Sequence, residues 1–170
     1  MALLPIKNCL DPVLRKQCQI IKNIDGDLIT LSEDMIETTL AAPGVGLAAN
    51  QIGIPWRLFV VNMGVETDKD NLITLINPEI TAMEGSELGE EGCLSIPDMI
   101  AEVNRATQIE VKAIDLNGND VRFEAKGYLA RALQHEMDHL NGVLFWDSLG
   151  KVKRDIMKRK FKKKLKEQDA

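Results

Sequence analysis

The segment QHEMDHLNG, from Gln134 to Gly142, constrains the fold of this chain more than any other feature. It contains the only two histidines among the 170 residues, His135 and His139. Side chains four residues apart on a helix lie one turn above each other and can bind the same ion. The dipeptide Asn141-Gly142 is a common left-handed helix end. We therefore predict a helix over Gly127 to Leu140 that carries a metal site.

A helical wheel of this segment supports the same conclusion. At about 100° per residue, six apolar side chains share one broad arc, while Arg131, Gln134 and Asp138 lie opposite, where we expect solvent. Glu136 falls inside the apolar arc, where an unpaired carboxylate is costly. It could cap a backbone group or pair with a buried base, but beside a metal-bound water it could carry a proton. The arc comprises Leu129, Ala130, Ala132, Leu133, Met137 and Leu140.

A catalytic ion with two histidine ligands still needs a third protein ligand. The position of a third histidine in the extended protease motif is Phe145, and no glutamate follows about twenty residues later, where the chain has Lys158-Arg159-Lys160. The ligand must therefore come from upstream. Cys93, in the segment EEGCLSIP, is the best candidate because a thiolate suits a borderline-soft ion. We interpret Cys9 and Cys18 as packing residues.

The remaining patterns predict a mixed chain with strands in the middle and helices at both ends. The alternating segments 109–115 and 121–125 flank Asn117-Gly118 and indicate a hairpin. This arrangement indicates an α+β fold, with short and mostly antiparallel sheets packed around the metal-binding helix. We expect one catalytic domain over residues 1–170. The other predicted elements are helices over 25–42 and 152–166 and strands over 57–62 and 71–77.

The charge is distributed unevenly between the body of the chain and its end. Residues 151–170 contain ten bases and three acids, a net charge of +7, whereas residues 1–150 have a net charge of −12. The last predicted helix carries Val152, Ile156, Phe161 and Leu165 on one side, which we expect to dock on the body and leave the lysines free. Such a basic end could bind an anionic partner or could simply be solvated.

The composition otherwise indicates an ordinary globular protein that acts in the cytoplasm. No apolar run approaches the ~18 residues that span a bilayer, so we expect no membrane partner. The first ten residues, MALLPIKNCL, lack the basic start and long apolar stretch of a secretory signal. The three cysteines form no CxxC pair, which favours reduced thiols.

Three motifs together closely resemble those of the peptide deformylase family. These are GVGLAANQ from Gly44 to Gln51, EGCLS from Glu91 to Ser95, and HEMDH from His135 to His139. They occur in the order that is typical of the family. The resemblance also includes DPVLR near Asp11 and LNGVLF after the histidine helix, and it covers the chain up to about Asp147.

The resemblance implies an enzyme that removes the formyl group from the initiator methionine of new polypeptides and releases formate. The ligands would be Cys93, His135 and His139, and hydroxide in the fourth position would attack the formyl carbon with Glu136 as general base and acid. Ferrous iron would be the usual metal, with zinc, nickel or cobalt able to replace it. Gln51 and the backbone N–H of Leu94 would donate to the formyl oxygen. The residues implied near the substrate are Gly44, Val45, Gly46, Tyr128, Arg131 and Ala132.

The resemblance also implies partners and one structural pair. The partners would be N-formylmethionyl peptides, nascent chains and, through the basic end, the ribosome, but not DNA. Glu91 should pair with Arg105, twelve residues after the cysteine. One departure concerns the grip on the peptide, because the chain has Asp98-Met99-Ile100 where many relatives carry a basic residue.

Two other functions remain as alternatives. A metallopeptidase that cuts ordinary peptide bonds would need the missing downstream ligand, and it would not explain the GVGLAANQ and EGCLS segments. A non-catalytic module with a structural ion would normally have four closed ligands and no task for Glu136.

Overall fold

The computed structural model describes residues 2–42, 44–66 and 68–169 of the chain. Within this part, three α-helices and seven β-strands follow one another, with short 3-10 helices between some of them. The strands occupy the middle of the sequence, as we predicted. In chain order the elements are α1 (Gly26–Ala41), β1 (Gly46–Ala48), β2 (Leu58–Asn62), β3 (Leu72–Glu84), β4 (Glu87–Cys93), β5 (Ile96–Arg105), β6 (Gln108–Ile114), β7 (Asp120–Lys126), α2 (Gly127–Leu140) and α3 (Lys151–Gln168).

Five strands form one antiparallel sheet in the order β1-β2-β3-β6-β7, and two helices cover its opposite faces. Strand β2 is buried along its whole length because both faces of the sheet are covered and its successive side chains point to opposite faces. Leu58 and Val60 pack in the core cluster of α1, whereas Phe59 and Val61 pack in the cluster that contains α2. The sheet therefore fixes α2 at the centre of the molecule.

The strands β4 and β5 form a separate antiparallel hairpin, and this hairpin covers the polar side of α2. The side-chain amide of Gln134 accepts from the backbone N–H of Ala106 at 3.0 Å and donates to its carbonyl at 2.9 Å. Val103 and Ile96 of β5 pack in a third core cluster with the N-terminal segment and α3. The expectation that Arg131 and Gln134 face solvent is therefore wrong, because the hairpin lies over them.

The structure confirms the α+β fold, the bounds of α2 and the β6–β7 hairpin. Strand β3 extends well past the predicted end at Asn77, because a register shift between Ile76 and Glu79 lets the ladder continue beyond Pro78. The sequence did not predict β1, β4 or β5. Strand β4 is rich in Gly and Glu, and Asp98 of β5 has a φ of 65° after Pro97, so neither looks like a strand locally.

Helix α3 docks on the body through a narrower stripe than we predicted. Phe161 is buried and Leu165 is half-buried as expected, but Val152 is 74% exposed and Ile156 is 40% exposed. Met157 occupies the inner side instead, because residues 157, 161 and 165 are spaced by four. Among the described residues, no helix has both the length and the hydropathy that crossing a membrane requires.

Candidate metal centre and active site

Two side chains of α2 and one side chain of β4 direct their ligand atoms toward one point. His135 and His139 lie one turn apart on α2, and Cys93 ends strand β4. The Sγ of Cys93 lies 3.3 Å from Nε2 of His139, which lies 3.2 Å from Nε2 of His135. All three ligand atoms lie within 4.8 Å of one another. Strand and helix together thus form a cluster of one sulfur and two nitrogen donors.

The dimensions of this cluster fit one ion. With bonds of about 2.0–2.1 Å to nitrogen and about 2.3 Å to sulfur, a tetrahedral ion separates its ligand atoms by about 3.3–3.6 Å. The separations from His139 to His135 and Cys93, 3.2 and 3.3 Å, are close to these values. One thiolate and two imidazoles are also donors that suit a borderline-soft divalent ion.

A buried carboxylate orients the first histidine of the cluster. Oε1 of Glu91 lies 3.0 Å from Nδ1 of His135, which directs Nε2 toward Cys93 and His139. Arg105 donates to both oxygens of Glu91, at 2.8 and 2.9 Å, so the predicted pair is confirmed. Burial alone would raise the pKa of Glu91, but the hydrogen bonds from Arg105 and His135 lower it to about 2.

The two histidines differ in their electrostatic surroundings. Burial opposes a charge on His135, but hydrogen bonds with Cys93 and Glu91 outweigh it and raise the pKa of the imidazole to about 10. Burial, together with the charge of His135, holds the pKa of His139 well below its usual range, so this ring stays neutral. The surroundings of His135 therefore favour a positive charge, which a bound ion would supply in place of the proton, because an imidazole ligates in its neutral form.

Glu136 lies beside the cluster with one oxygen that has no protein partner. Its side chain is buried, and among the described residues no group bonds its Oε2. Burial raises the pKa of this carboxyl to about 7, although the charge of His135 opposes the shift. A Cβ at Gly46 would come within 3.0 Å of Oε1, so β1 can approach Glu136 closely only because Gly46 has no side chain. In the described part of the chain, Glu136 has neither the backbone cap nor the buried base that could have explained it.

The side-chain amide of Gln51 is held in a fixed orientation at the edge of the cluster. Its Oε1 accepts from the backbone N–H of Ala48 at 2.9 Å, so the amide does tie down its own turn. Its Nε2 donates to Oγ of Ser95 at 3.1 Å and lies 3.7 Å from Sγ of Cys93. Leu94 follows Cys93 in the turn between β4 and β5. A donor side chain and this turn thus lie on the same side of the cysteine.

The cluster opens into a cavity of about 560 Å³. His139 is only 1% exposed and is not part of the cavity wall. Asp98, Met99 and Ile100 also line the cavity, so the segment that departs from the family pattern does face the site. The other predicted site residues all line it, and these are Gly44, Val45, Gly46, Gln51, Cys93, Leu94, Tyr128, Arg131, Ala132, His135 and Glu136.

Comparison with known proteins gives the family of the chain. The family model of polypeptide deformylase matches residues 3–155, which contain the whole cluster and its cavity. The chain belongs to the polypeptide deformylase family. Members of this family are metal-dependent hydrolases that remove the N-formyl group from newly made polypeptides, and this chain is accordingly an amidohydrolase. The Cys93, His135 and His139 group could hold the metal.

Individual relatives resemble the chain over nearly its full length. A peptide deformylase of Thermodesulfovibrio yellowstonii is 48% identical over 96% of this chain and 99% of its own. One from Syntrophobacter fumaroxidans is 48% identical over the whole of both chains. The crystal structure of a peptide deformylase from Legionella pneumophila covers 99% of this chain and 98% of its own, with a TM-score of 0.93 and 42% identity.

Two residues that shape this site, Ser95 and Asn50, were not predicted from the sequence. Ser95 is fully buried and accepts from Gln51, and its place inside the EGCLS segment was the available signal. Asn50 is also fully buried and donates to the carbonyl of His139 at 2.5 Å, which ties the GVGLAANQ segment to α2. No local pattern signals the Asn50 contact, because it joins residues 89 positions apart.

Proposed function

We propose that this chain cleaves the formyl group from N-formylmethionyl polypeptides with one divalent ion held by Cys93, His135 and His139. The observation that carries the proposal is Glu136, a buried carboxylate with an unpartnered oxygen beside the three donors. An unpaired buried carboxylate costs free energy, so it needs a functional reason, and proton transfer to and from the reacting groups supplies one. The released product would be formate.

The chemistry divides between the ion and the protein groups. When bound, the ion would act as a Lewis acid that polarises the formyl oxygen and makes water a better nucleophile. Glu136 takes the proton of the attacking water and returns it to the nitrogen of the leaving amine. Burial raises the pKa of this carboxyl toward neutrality, and both halves of this task need a group that can accept and release a proton near neutral pH.

Gln51 and Leu94 would stabilise the charge that grows on the formyl oxygen. The Nε2 of Gln51 is 3.7 Å from the cysteine sulfur, and Oε1 is already fixed by Ala48, so the amide needs no reorganisation. The backbone N–H of Leu94 would be the second donor. Two neutral donors placed in advance stabilise an oxyanion more than water does.

The cavity would receive the methionine and the first peptide units. Gly44 and Gly46 would accommodate the substrate backbone, while Val45, Tyr128 and Ala132 would contribute to the pocket for the methionine side chain. Arg131, which the resemblance also implies at this pocket, has its guanidinium bonded to the hairpin, so only its stem is left for the wall.

Ferrous iron is the ion we propose, following the resemblance to the family. Zinc, nickel and cobalt share the same ligand preferences, and the order of affinities favours the later metals when all are available. An iron form with a thiolate ligand should lose activity in air, whereas nickel or cobalt forms should last longer. Anaerobic purification followed by metal analysis tests this assignment, and a protein that contains zinc alone under those conditions would contradict it.

One assay separates this function from both alternatives. Formyl-Met-Ala-Ser should release formate, and acetyl-Met-Ala-Ser should react far more slowly. The rate should vanish on chelation and return with Fe(II), which a module with a purely structural ion would not show. Cleavage of the internal bonds of acetyl-Met-Ala-Ser would instead indicate a metallopeptidase.

The partners we propose are formylated nascent chains in the cytoplasm and the ribosome that presents them. The support for the ribosome is the net charge of +7 in residues 151–170, beside a body of net charge −12. Phe161 docks α3 on the body and leaves most of its lysines exposed. Binding through such a helix would be directed at phosphate.

A further inference from the structure

The guanidinium of Arg131 reaches from α2 to both strands of the β4–β5 hairpin. Its Nη1 donates to Oε2 of Glu91 and to the carbonyl of Val103, both at 2.8 Å, and lies 3.4 Å from the carbonyl of Gly89. Its Nη2 donates to the carbonyl of Glu87 at 2.7 Å. The side chain is only 12% exposed. One side chain thus bonds two carbonyls of β4, one of β5 and a buried carboxylate.

The glycine at position 89 makes room for this arrangement. A Cβ at Gly89 would lie 2.9 Å from both Cζ and Nη2 of Arg131. Real Cβ atoms do not approach other atoms so closely, and this guanidinium cannot easily move because four bonds hold it. Gly89 and Arg131 therefore form a matched pair on opposite sides of the contact between the hairpin and α2.

The position of the hairpin against α2 matters because the hairpin carries one of the three metal donors. Cys93 ends β4, whereas the two histidines lie on α2, so the metal donors come from two separate elements. A two-stranded sheet is marginally stable alone, and β4 pairs only with β5 in the described part of the chain. Arg131 precedes His135 by four residues and so lies on the same side of α2. The distance between cysteine and histidines therefore depends on how firmly the hairpin is held to this side of the helix.

We propose that Arg131, with Gly89, is a clamp that positions Cys93 and Glu91 against His135, and that it thereby slows loss of the metal. This proposal rests on the metal site of the proposed function. Arg131 is a positioning residue, since it acts through Glu91 and the hairpin backbone. The planar fork of an arginine can bond several oxygens at fixed angles, whereas a lysine offers one point charge on a flexible stem. The clamp thus requires the shape of the guanidinium in addition to its charge.

A simpler account is that Arg131 only neutralises Glu91, as Arg105 does from the other side. The two accounts differ for Arg131→Lys, which keeps the charge and loses the fork. If charge alone matters, the lysine variant behaves like the native protein. If the clamp matters, Arg131→Lys resembles Arg131→Met.

The experiment uses the full chain loaded with Co²⁺, whose absorption spectrum reports the ligand geometry and the thiolate bond. We measure the rate of cobalt loss to excess chelator, well below the melting temperature, for the native protein, Arg131→Lys, Arg131→Met and Gly89→Ala. Loss should be about 10-fold faster or more in both Arg131 variants, the usual effect of removing a group that supports a ligand. Gly89→Ala should change the rate in the same direction, and it should add nothing further in the Arg131→Met background.

Two control variants separate the clamp from ordinary stability. Arg122→Met removes an exposed arginine from β7 and should leave cobalt loss unchanged. Met35→Ala removes a buried side chain from α1 and should lower the melting temperature without speeding cobalt loss.

Three results would overturn the clamp. The first is native-like retention in Arg131→Lys, which would leave charge as the only role. The second is cobalt loss in Met35→Ala as fast as in Arg131→Met at an equal drop in melting temperature. The third is additive effects of Gly89→Ala and Arg131→Met. A native protein that binds no cobalt, or binds it without a thiolate band, would overturn the metal site and the clamp together.

Discussion

The sequence predicts that helices α2 and α3 are both amphipathic, yet the two helices differ in which of their sides is covered by the rest of the molecule. On α2 the polar side is covered by the β4–β5 hairpin, and Gln134 is only 4% exposed. Asp138 pairs with Arg105 at 2.6 Å, so the charges on this side have partners. On α3 the opposite holds, because the apolar Val152 is 74% exposed and only Phe161 is fully buried.

This difference shows that the covering element decides burial, and the helix pattern alone does not. The hairpin brings Glu91 and Arg105 to α2, so polar side chains there gain hydrogen bonds in exchange for water. Helix α3 meets the body along one stripe only, and whatever lies outside that stripe stays in water. A polar residue can therefore be buried when matched partners exist, and an apolar residue can be exposed when nothing lies over it.

The largest effect should follow from removal of the ligand that α2 does not supply. Cys93→Ser should lose most of the metal and nearly all activity, because a hydroxyl is a far weaker ligand than a thiolate. Metal content after anaerobic purification measures this directly. Cys9→Ser and Cys18→Ser are matched controls and should keep the metal, since both thiols are buried in core clusters. Stoichiometric metal at full affinity in Cys93→Ser would show that the site is misassigned.

The next effect concerns Glu136 of α2, whose buried Oε2 has no hydrogen-bond partner among the described residues. Glu136→Gln should lower kcat by at least ~10², the usual value of a positioned proton carrier, because an amide cannot take up the proton. Fold and metal content should be unchanged, since Glu136 is not among the three donors. Steady-state rates on a formyl peptide, per equivalent of bound metal, provide the measurement. Near-normal turnover by the metal-loaded variant would be incompatible with the proposed role.

How far the sequence predicts this molecule follows from the range of the interactions involved. The bounds of α2 and the β6–β7 hairpin depend on neighbours in sequence, and their signals, a left-handed stop and an Asn-Gly turn, are local. The Glu91–Arg105 pair could be predicted only through the resemblance to the family. The strands β4 and β5 could not be predicted from the sequence, because their Gly, Glu and Pro residues disfavour strands locally. Contacts with α2 compensate for this, as when Arg131 donates to the carbonyls of Glu87 in β4 and Val103 in β5.

Truncating a buried and an exposed side chain of α3 should lower the free energy of unfolding by different amounts. Phe161→Ala should lower the free energy of unfolding by about 3 kcal/mol, because it empties a site that also contacts Trp146 at a ring distance of 6.1 Å. Ile156→Ala should change it by less than about 0.5 kcal/mol, since that side chain is 40% exposed. Urea unfolding of the two variants gives both values. Equal losses would mean that the predicted stripe of Val152 and Ile156 docks after all.

Substituting the lysines of α3 should have the smallest effect on the isolated enzyme. Deleting residues 158–170 would be a poor test, because it removes the buried Phe161 along with the charges. Substituting exposed lysines by glutamine keeps the docking stripe. We choose four exposed lysines on α3 and four exposed lysines on the body as a matched control. The α3 set is Lys153, Lys160, Lys163 and Lys166, and the body set is Lys16, Lys22, Lys112 and Lys126.

If α3 binds ribosomal phosphate, the α3 set should weaken co-sedimentation with ribosomes at low salt and the body set should not. Each lost phosphate contact lowers the slope of log K against log salt by about 0.7–0.9, so four contacts lower it by about 3. Activity on short formyl peptides should stay near the native value in both sets, because none of these lysines lines the cavity. Equal sedimentation of the two sets would leave the basic side of α3 as a solvated surface, and its contrast with α2 would then be complete.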